Sequence, residues 1–368
     1  MSLRTWKVLL KMFITKMKVF FKLFLIILIP LSCLWSWIYR IRRFLYNNEI
    51  LKKTSFMVPI ISVGNVTFGG TGKTPFVIWL CEYLNQLDKK VMILMRGYKG
   101  EFEHSCALLK GNRKLGHNPD LYGDEALMLV RRLKDTSIIV GKKRSQNLEY
   151  YFSKENPDVV VLDDGHQHIK LDRSLNIVLF DALMPVEKYK VAPWGYLREG
   201  LSALQDADLV IINRSDLVSS TELSELKKII RPHLRFEVPI GEMGYKVNGL
   251  FDINFKETIL FHDIKDKKVI CVAGIASPAS FFIMVEQLGC QIVDKIVYPD
   301  HFAYAMEDVD YIVERASKLD ALVITTEKDI IKLKRLDKTE NFHYLGVAVY
   351  FLRGENYILD AIKRVCKN

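Results

Sequence analysis

The chain lacks the cysteine spacing that builds metal modules or disulfide frameworks. Its six cysteines (Cys33, Cys81, Cys106, Cys271, Cys290, Cys366) are scattered, with no CxxC pair, which excludes a zinc ribbon and fits a reducing compartment. No small-residue cleavage site follows the N-terminal apolar run, so the run does not read as a secretory signal. The composition also lacks the polarity of a disordered chain, at 49% apolar and 26% charged residues. Acidic excess is missing as well: 53 basic against 43 acidic residues give +10. That sign favours an anionic partner, whether nucleic acid, anionic lipid or a phosphorylated substrate. At 368 residues there is room for two domains with full cores.

The most informative stretch runs from Val58 to Pro75, VPIISVGNVTFGGTGKTP. It reads as a short strand from Ile60 to Val63, a turn through Gly69, Gly70, Thr71 and Gly72, and a helix opened by Lys73 and Thr74. Such a loop turns backbone N–H groups and a helix N-terminus toward nucleotide phosphates. Lys73 would reach the β- and γ-phosphates and the Thr74 hydroxyl would ligate Mg²⁺. The strict pattern asks for glycine where this chain has Thr67.

Before the loop, Leu23 to Tyr39 is uncharged, flanked by Lys16, Lys18 and Lys22 on one side and Arg40, Arg42 and Arg43 on the other. Its length is close to that of a spanning helix, and Trp35, Trp37 and Tyr39 resemble an interfacial belt. The expectation is a membrane anchor over 1–45, either spanning or lying in one leaflet. Much of the basic excess sits beside this run, which suits a membrane surface better than nucleic acid.

After the loop, strand-like and helix-like segments alternate. The strand KKVMILM ends in Arg96-Gly97-Tyr98, and Gly123-Asp124-Glu125 leads an amphipathic helix. Two readings of Asp124 stand here, a helix cap and a catalytic carboxylate. SIIVGKKR ends at Arg144, and PDVVVLDDGHQH places Asp163 and Asp164 at a strand end, as in a Walker-B arrangement that holds Mg²⁺. His166 and His168 lack the further ligands of a transition-metal site. Asn213-Arg214-Ser215-Asp216 imitates a guanine-reading sequence, but Arg replaces Lys and no DxxG follows the Asp163-Asp164-Gly165 strand end, so it reads as coincidence. The pattern predicts an α/β fold with a P-loop NTPase-like, doubly wound parallel sheet over 46–235, a connection over 236–267 and a smaller α/β lobe over 268–368. That lobe has no phosphate loop of its own. Its conspicuous loop residue is His301, in Pro299-Asp300-His301.

Taken in order, the basic N-terminal helix running into RIRRFLY, VGNVTFGGTGKTP, RGYKG, GDE, DDGHQH, GYLREG, AGIASPASFF, YPDH and TTEKD resemble the tetraacyldisaccharide 4'-kinases of lipid A biosynthesis over nearly the whole chain. Thr67 is part of that family's loop. The resemblance implies a phosphotransferase that uses ATP and Mg²⁺ to phosphorylate the 4'-hydroxyl of a lipid disaccharide 1-phosphate, at the cytoplasmic face of the inner membrane. It implies Asp124 as the base or hydroxyl-positioning group, with His301 supporting it. It also implies Asp163, Asp164, Gln167 and Glu199 as metal- and nucleotide-organising groups, with Arg96, Arg144 and Arg198 near phosphate. The partners expected are the lipid substrate and membrane lipids, with no protein partner indicated. A membrane-attached nucleotide switch shares the loop and the anchor, but it would need the missing DxxG.

Overall fold

A computed structural model describes residues 28–111, 118–259 and 261–367. The first helix, α1, covers 28–47. Strand β1 (Ile60–Asn65) then leads into α2 (Lys73–Gln86), followed by β2 (Val91–Met95), β3 (Ala107–Lys110), α3 (Pro119–Tyr122), α4 (Asp124–Arg132) and β4 (Ser137–Val140). Helix α5 (Arg144–Glu155), β5 (Val159–Asp163), β6 (Leu175–Asp181), β7 (Leu209–Asn213) and α6 (Ser220–Ile230) complete the first lobe. Next come β8 (Ile240–Asp252), β9 (Glu257–Ile259) and α7 (Phe261–Ile264). The second lobe contains β10 (Lys268–Ala273), α8 (Pro278–Glu286), β11 (Gln291–Val297), α9 (Met306–Leu319), β12 (Leu322–Thr326), α10 (Glu327–Leu333), β13 (Phe342–Arg353) and α11 (Glu355–Lys367).

Every residue of β1, β2 and β5 is buried, as expected of parallel strands covered by helices on both faces. Strand β1 pairs in parallel with β5 on one side and β6 on the other. The sheet does not stop at the end of the first lobe. A single 13-stranded sheet runs in the order β11-β10-β12-β13-β8-β7-β6-β1-β5-β2-β4-β3, with β9 paired to β8. The expectation of a parallel sheet is corrected to a mixed one: β8 with β13, β3 with β4 and β8 with β9 are antiparallel. The segment read as an irregular connection contains the 13-residue strand β8, whose first residues pair in parallel with β7 while its length pairs with β13.

One apolar core spans both lobes, from Phe76 and Leu80 on α2 and Leu129 on α4 to Ile270, Ile312, Phe342 and Ile358. Each such fully buried large side chain contributes roughly 1.5–3 kcal/mol. Across this seam Arg131 on α4 donates to Glu327 on α10 (2.8 Å) and to the Tyr344 hydroxyl on β13 (2.8 Å), with its guanidinium over the Phe255 ring at 3.7 Å. Arg132 adds a second pairing to Glu327 at 3.2 Å.

The expected membrane anchor over 1–45 can be followed only from residue 28. Residues 1–27 lie outside the described residues, and among the described residues no helix is long and apolar enough to cross a membrane. Helix α1 packs along the first lobe. Trp35 Nε1 donates to the Arg198 carbonyl (2.8 Å), Arg42 to the Gln167 carbonyl (3.0 Å), and Arg43 to both oxygens of Glu199 (2.7 and 2.8 Å) and to Asp206. Leu31, Leu34, Trp37, Ile38 and Phe44 remain exposed.

Two outcomes are expected. Glu327→Ala strands Arg131 in the seam and lowers unfolding free energy by about 3–5 kcal/mol in urea titrations; the double replacement Arg131→Met with Glu327→Leu costs less than Glu327→Ala alone. Arg43→Met leaves Glu199 without its cation, and limited proteolysis then cuts within α1 faster than in the parent protein.

Candidate active site

The glycine-rich loop follows β1 and opens α2, whose N-cap is Gly72 at φ +82°. A Cβ there would meet the Tyr245 hydroxyl at 1.9 Å and Asn213 Nδ2 at 2.2 Å, so this turn requires glycine. Thr67 is almost fully buried and forms an isolated antiparallel bridge with Leu197, while Phe68 N donates to the Tyr196 carbonyl at 2.8 Å. The chain at Thr67 is therefore extended and paired, with no tight turn that glycine would serve. Asn65 Nδ2 ties the loop further by donating to Thr71 Oγ1 (3.0 Å) and Thr67 Oγ1 (3.3 Å).

Lys73 and the end of β5 meet beside this loop. Lys73 Nζ lies 3.3 Å from Asp164 Oδ1, Arg198 donates to Asp164 Oδ2 (2.7 Å), and buried Arg144 donates to the Asp164 carbonyl (2.9 Å). Although burial opposes its charge, Lys73, Arg198 and Arg144 hold the Asp164 carboxyl well below the usual carboxylate range. Its neighbour Asp163 behaves in the opposite way. Burial and the charge of Glu125 push Asp163 up to about 7, against the pull of Lys73. Its Oδ1 is buried without a hydrogen-bond partner. Arg96, by contrast, is exposed and paired with Glu103 at 2.6 Å.

The oxygen donors in this place suit a hard cation such as Mg²⁺. The orphaned Asp163 Oδ1 and the Thr74 hydroxyl in the first turn of α2 are the groups that fit. Gln167 and Glu199 are engaged elsewhere. Gln167 Nε2 donates to the Asn65 carbonyl (2.7 Å) and to Glu199 Oε1 (3.0 Å), and Arg43 takes both Glu199 oxygens. His166 is fully buried and bonded to Asn176 at 3.1 Å, and burial pushes its imidazole well below the ordinary histidine range.

Asp124 is the first residue of α4, and Gly123 is the cap. Asp124 Oδ1 accepts from Glu125 N (3.0 Å), and Oδ2 faces His301 Nδ1 at 3.1 Å. The helix-cap reading thus accounts for one oxygen only. Burial raises the carboxyl, but the His301 bond and the Lys328 charge outweigh it and hold Asp124 at about 2. His301 adopts φ +59° and its ring meets Tyr98 edge-on at 5.4 Å. The effect of Glu125 on both Asp163 and Lys328 ties this group electrostatically to the β5 end.

Several contributors were not assigned a role from sequence. Asn213 Nδ2 donates to the Thr71 carbonyl (3.1 Å), and Arg214 donates to the Gly70 carbonyl (3.0 Å) while paired with Asp181 and touching Ser280 of the second lobe (3.3 Å). The guanine-reader look-alike is a brace for the phosphate loop. Its only outward signal was its position at the end of a strand. Tyr98, Arg43 and Lys328 are likewise placed by contacts distant in sequence.

Comparison with known proteins identifies the family of the chain. The profile of the family described as tetraacyldisaccharide-1-P 4'-kinase (LpxK) matches residues 24–366. The chain is 31% identical over 344 residues to the tetraacyldisaccharide 4'-kinase of Halothermothrix orenii, covering 89% of each chain. It is 30% identical to that of Chlorobium luteolum, covering 93% of this chain and 98% of the relative. Among solved structures, LpxK from Aquifex aeolicus in complex with ATP superposes with a TM-score of 0.73 at 29% identity, covering 93% of this chain and 99% of that one. With its phosphate loop, paired cleft residues and full-length matches, the chain belongs to the tetraacyldisaccharide-1-P 4'-kinase family.

Proposed function

We propose that the protein transfers the γ-phosphoryl group of ATP to the 4'-hydroxyl of a tetraacylated glucosamine disaccharide 1-phosphate, the lipid A precursor. The observation that carries this reading is the Asp124–His301 contact of 3.1 Å, which joins the two lobes beside Glu125, whose charge acts on Asp163 at the β5 end. A nucleotide switch has no use for such an acceptor-side carboxylate.

In this reading Gly69 to Thr74 and Lys73 cradle the ATP phosphates, and Arg144 and Arg198 add positive charge around Asp164. Thr74 and Asp163 would hold Mg²⁺, which would supply charge neutralisation to the phosphate oxygens. The remaining roles belong to the chain. Asp124 accepts a hydrogen bond from the 4'-hydroxyl and takes its proton as the oxygen attacks the γ-phosphorus. The bond from that phosphorus to the β–γ bridging oxygen breaks, and its electron pair leaves with ADP. Because the transition state is loose, a weakly basic carboxylate suffices. The regions 46–235 and 268–368 act as donor and acceptor lobes, joined through 236–267, and their contact excludes water that would otherwise hydrolyse ATP.

The acceptor is confined to a bilayer by four acyl chains, each CH₂ contributing about 0.8 kcal/mol. The exposed apolar face of α1, preceded by the basic and apolar residues 1–27, brings the enzyme to the cytoplasmic face of the inner membrane. Arg43 links that helix to Gln167 and Glu199 behind the phosphate site.

The reading is tested with radiolabelled ATP and the lipid disaccharide in mixed micelles, with Lys73→Ala as control. Phosphorylated lipid is expected from the parent protein alone, and acceptor-independent ATP hydrolysis without labelled lipid would sink the proposal. A second expectation concerns pH. Since Asp124 is held at about 2, its carboxylate form is complete above about pH 4. Asp124→Asn therefore lowers kcat by about 10²-fold or more, by the same factor at every pH from about 6 to 9. A loss that grows with pH in that range would show the parent carboxyl titrating there.

A further inference from the structure

Lys328 lies in the first turn of α10, and only 15% of its side chain is exposed. Its Nζ is 3.1 Å from His301 Nε2, 3.0 Å from Asp300 Oδ1 and 3.8 Å from Asp124 Oδ2. An ammonium has protons to donate and no lone pair to accept with. Toward Nε2 it can only donate, so Nε2 presents its lone pair. The single proton of the neutral imidazole then sits on Nδ1, which faces Asp124 Oδ2 at 3.1 Å.

We propose that Lys328 is a positioning residue for phosphoryl transfer: by occupying Nε2 it fixes His301 as the neutral Nδ1–H tautomer and leaves Asp124 as the group that receives the acceptor proton. The proposal rests on the kinase reading above and gives the Asp124–His301 pair a direction. The reverse order, in which Asp124 orients His301 and Nε2 acts as base, is blocked. Its lone pair is taken, and an imidazolium there would stand against a cation. The charges facing the pair are Asp124 and Glu125 from α4, Asp300 beside His301, and Lys328 and Lys332 from α10, with the Tyr98 ring edge-on. Burial works against the Lys328 charge, but Asp124, Glu125 and Asp300 outweigh it and raise its pKa, so the donor stays charged. The protons balance over a turnover. The 4'-hydroxyl proton passes to the Asp124 carboxylate and then to water after product leaves, while His301 and Lys328 start and finish with the protons they hold.

The test uses the full-length protein in detergent micelles, labelled with ¹⁵N at histidine, with the His301 signals assigned by their loss in His301→Gln. In the parent protein at neutral pH the expected pattern is a protonated Nδ1 and an unprotonated Nε2. In Lys328→Met that pattern is expected to be lost, with a proton appearing on Nε2 at neutral pH. In the same variant kcat falls by roughly 10–100-fold while KM for ATP stays within about twofold. Lys328→Arg keeps a donor-only cation and is expected to recover the parent tautomer and the larger part of the rate. An Nε2–H tautomer or an imidazolium in the parent at neutral pH overturns the proposal, and needs neither turnover nor a folded variant. Histidine signals unchanged in Lys328→Met overturn it too, whatever the rate, because Lys328 would then act on the substrate itself. Failure of the parent to phosphorylate the lipid disaccharide would instead refute the kinase reading and leave the tautomer result standing by itself.

Discussion

The antiparallel pairing of β8 with β13 is the constraint on which the rest of the molecule depends. It makes one sheet of two lobes, and it brings α4 and α10 against each other across a continuous apolar core. Asp124 and His301 are 177 residues apart in the chain and meet at 3.1 Å only because that frame is rigid. The Arg131–Glu327 contact joins the same two helices, with Tyr344 of β13 beside it, so the seam that stabilises the fold also positions the Asp124–His301 pair.

Charge is divided between the two parts of the site. Asp164 is surrounded by Lys73, Arg198 and Arg144 and stays ionised, whereas Asp163 beside it has an unpartnered oxygen and a raised pKa. A site that must receive a polyanionic nucleotide gains from an arrangement in which cations are already oriented and little reorganisation is left for the reaction. On the acceptor side a carboxylate is kept ionised by a histidine and a lysine, so basicity is low and position does the work.

Local features could be read from the chain because their partners are near in sequence. The loop from Gly69 to Thr74 and the apolar run ending in Asp163-Asp164 each announce a strand end and the chemistry attached to it. The pairing of Asp124 with His301 came from family resemblance, since no spacing rule spans 177 residues. Strand β8 was hidden by its glycines. Gly244 depresses strand propensity, yet a Cβ there would meet Asp216 Oδ1 at 2.5 Å, so the residue that disguises the strand is the one its packing demands. The role of Arg214 is not legible locally either: its partner Gly70 is 144 residues away, and only the fold shows that the motif braces the loop.

The order of synthesis gives the β8–β13 join a further meaning. Strand β8 ends at Asp252, and its long neighbour begins at Phe342. While the intervening residues are being made, the nascent chain carries the long β8 edge without its partner, since β9 pairs with Leu250 and Phe251 along the opposite edge. Unpaired edges of this kind invite pairing with other chains. The protein is therefore most exposed to misassembly late in translation, and a chain cut short before residue 342 would lose the closing strand of both lobes at once.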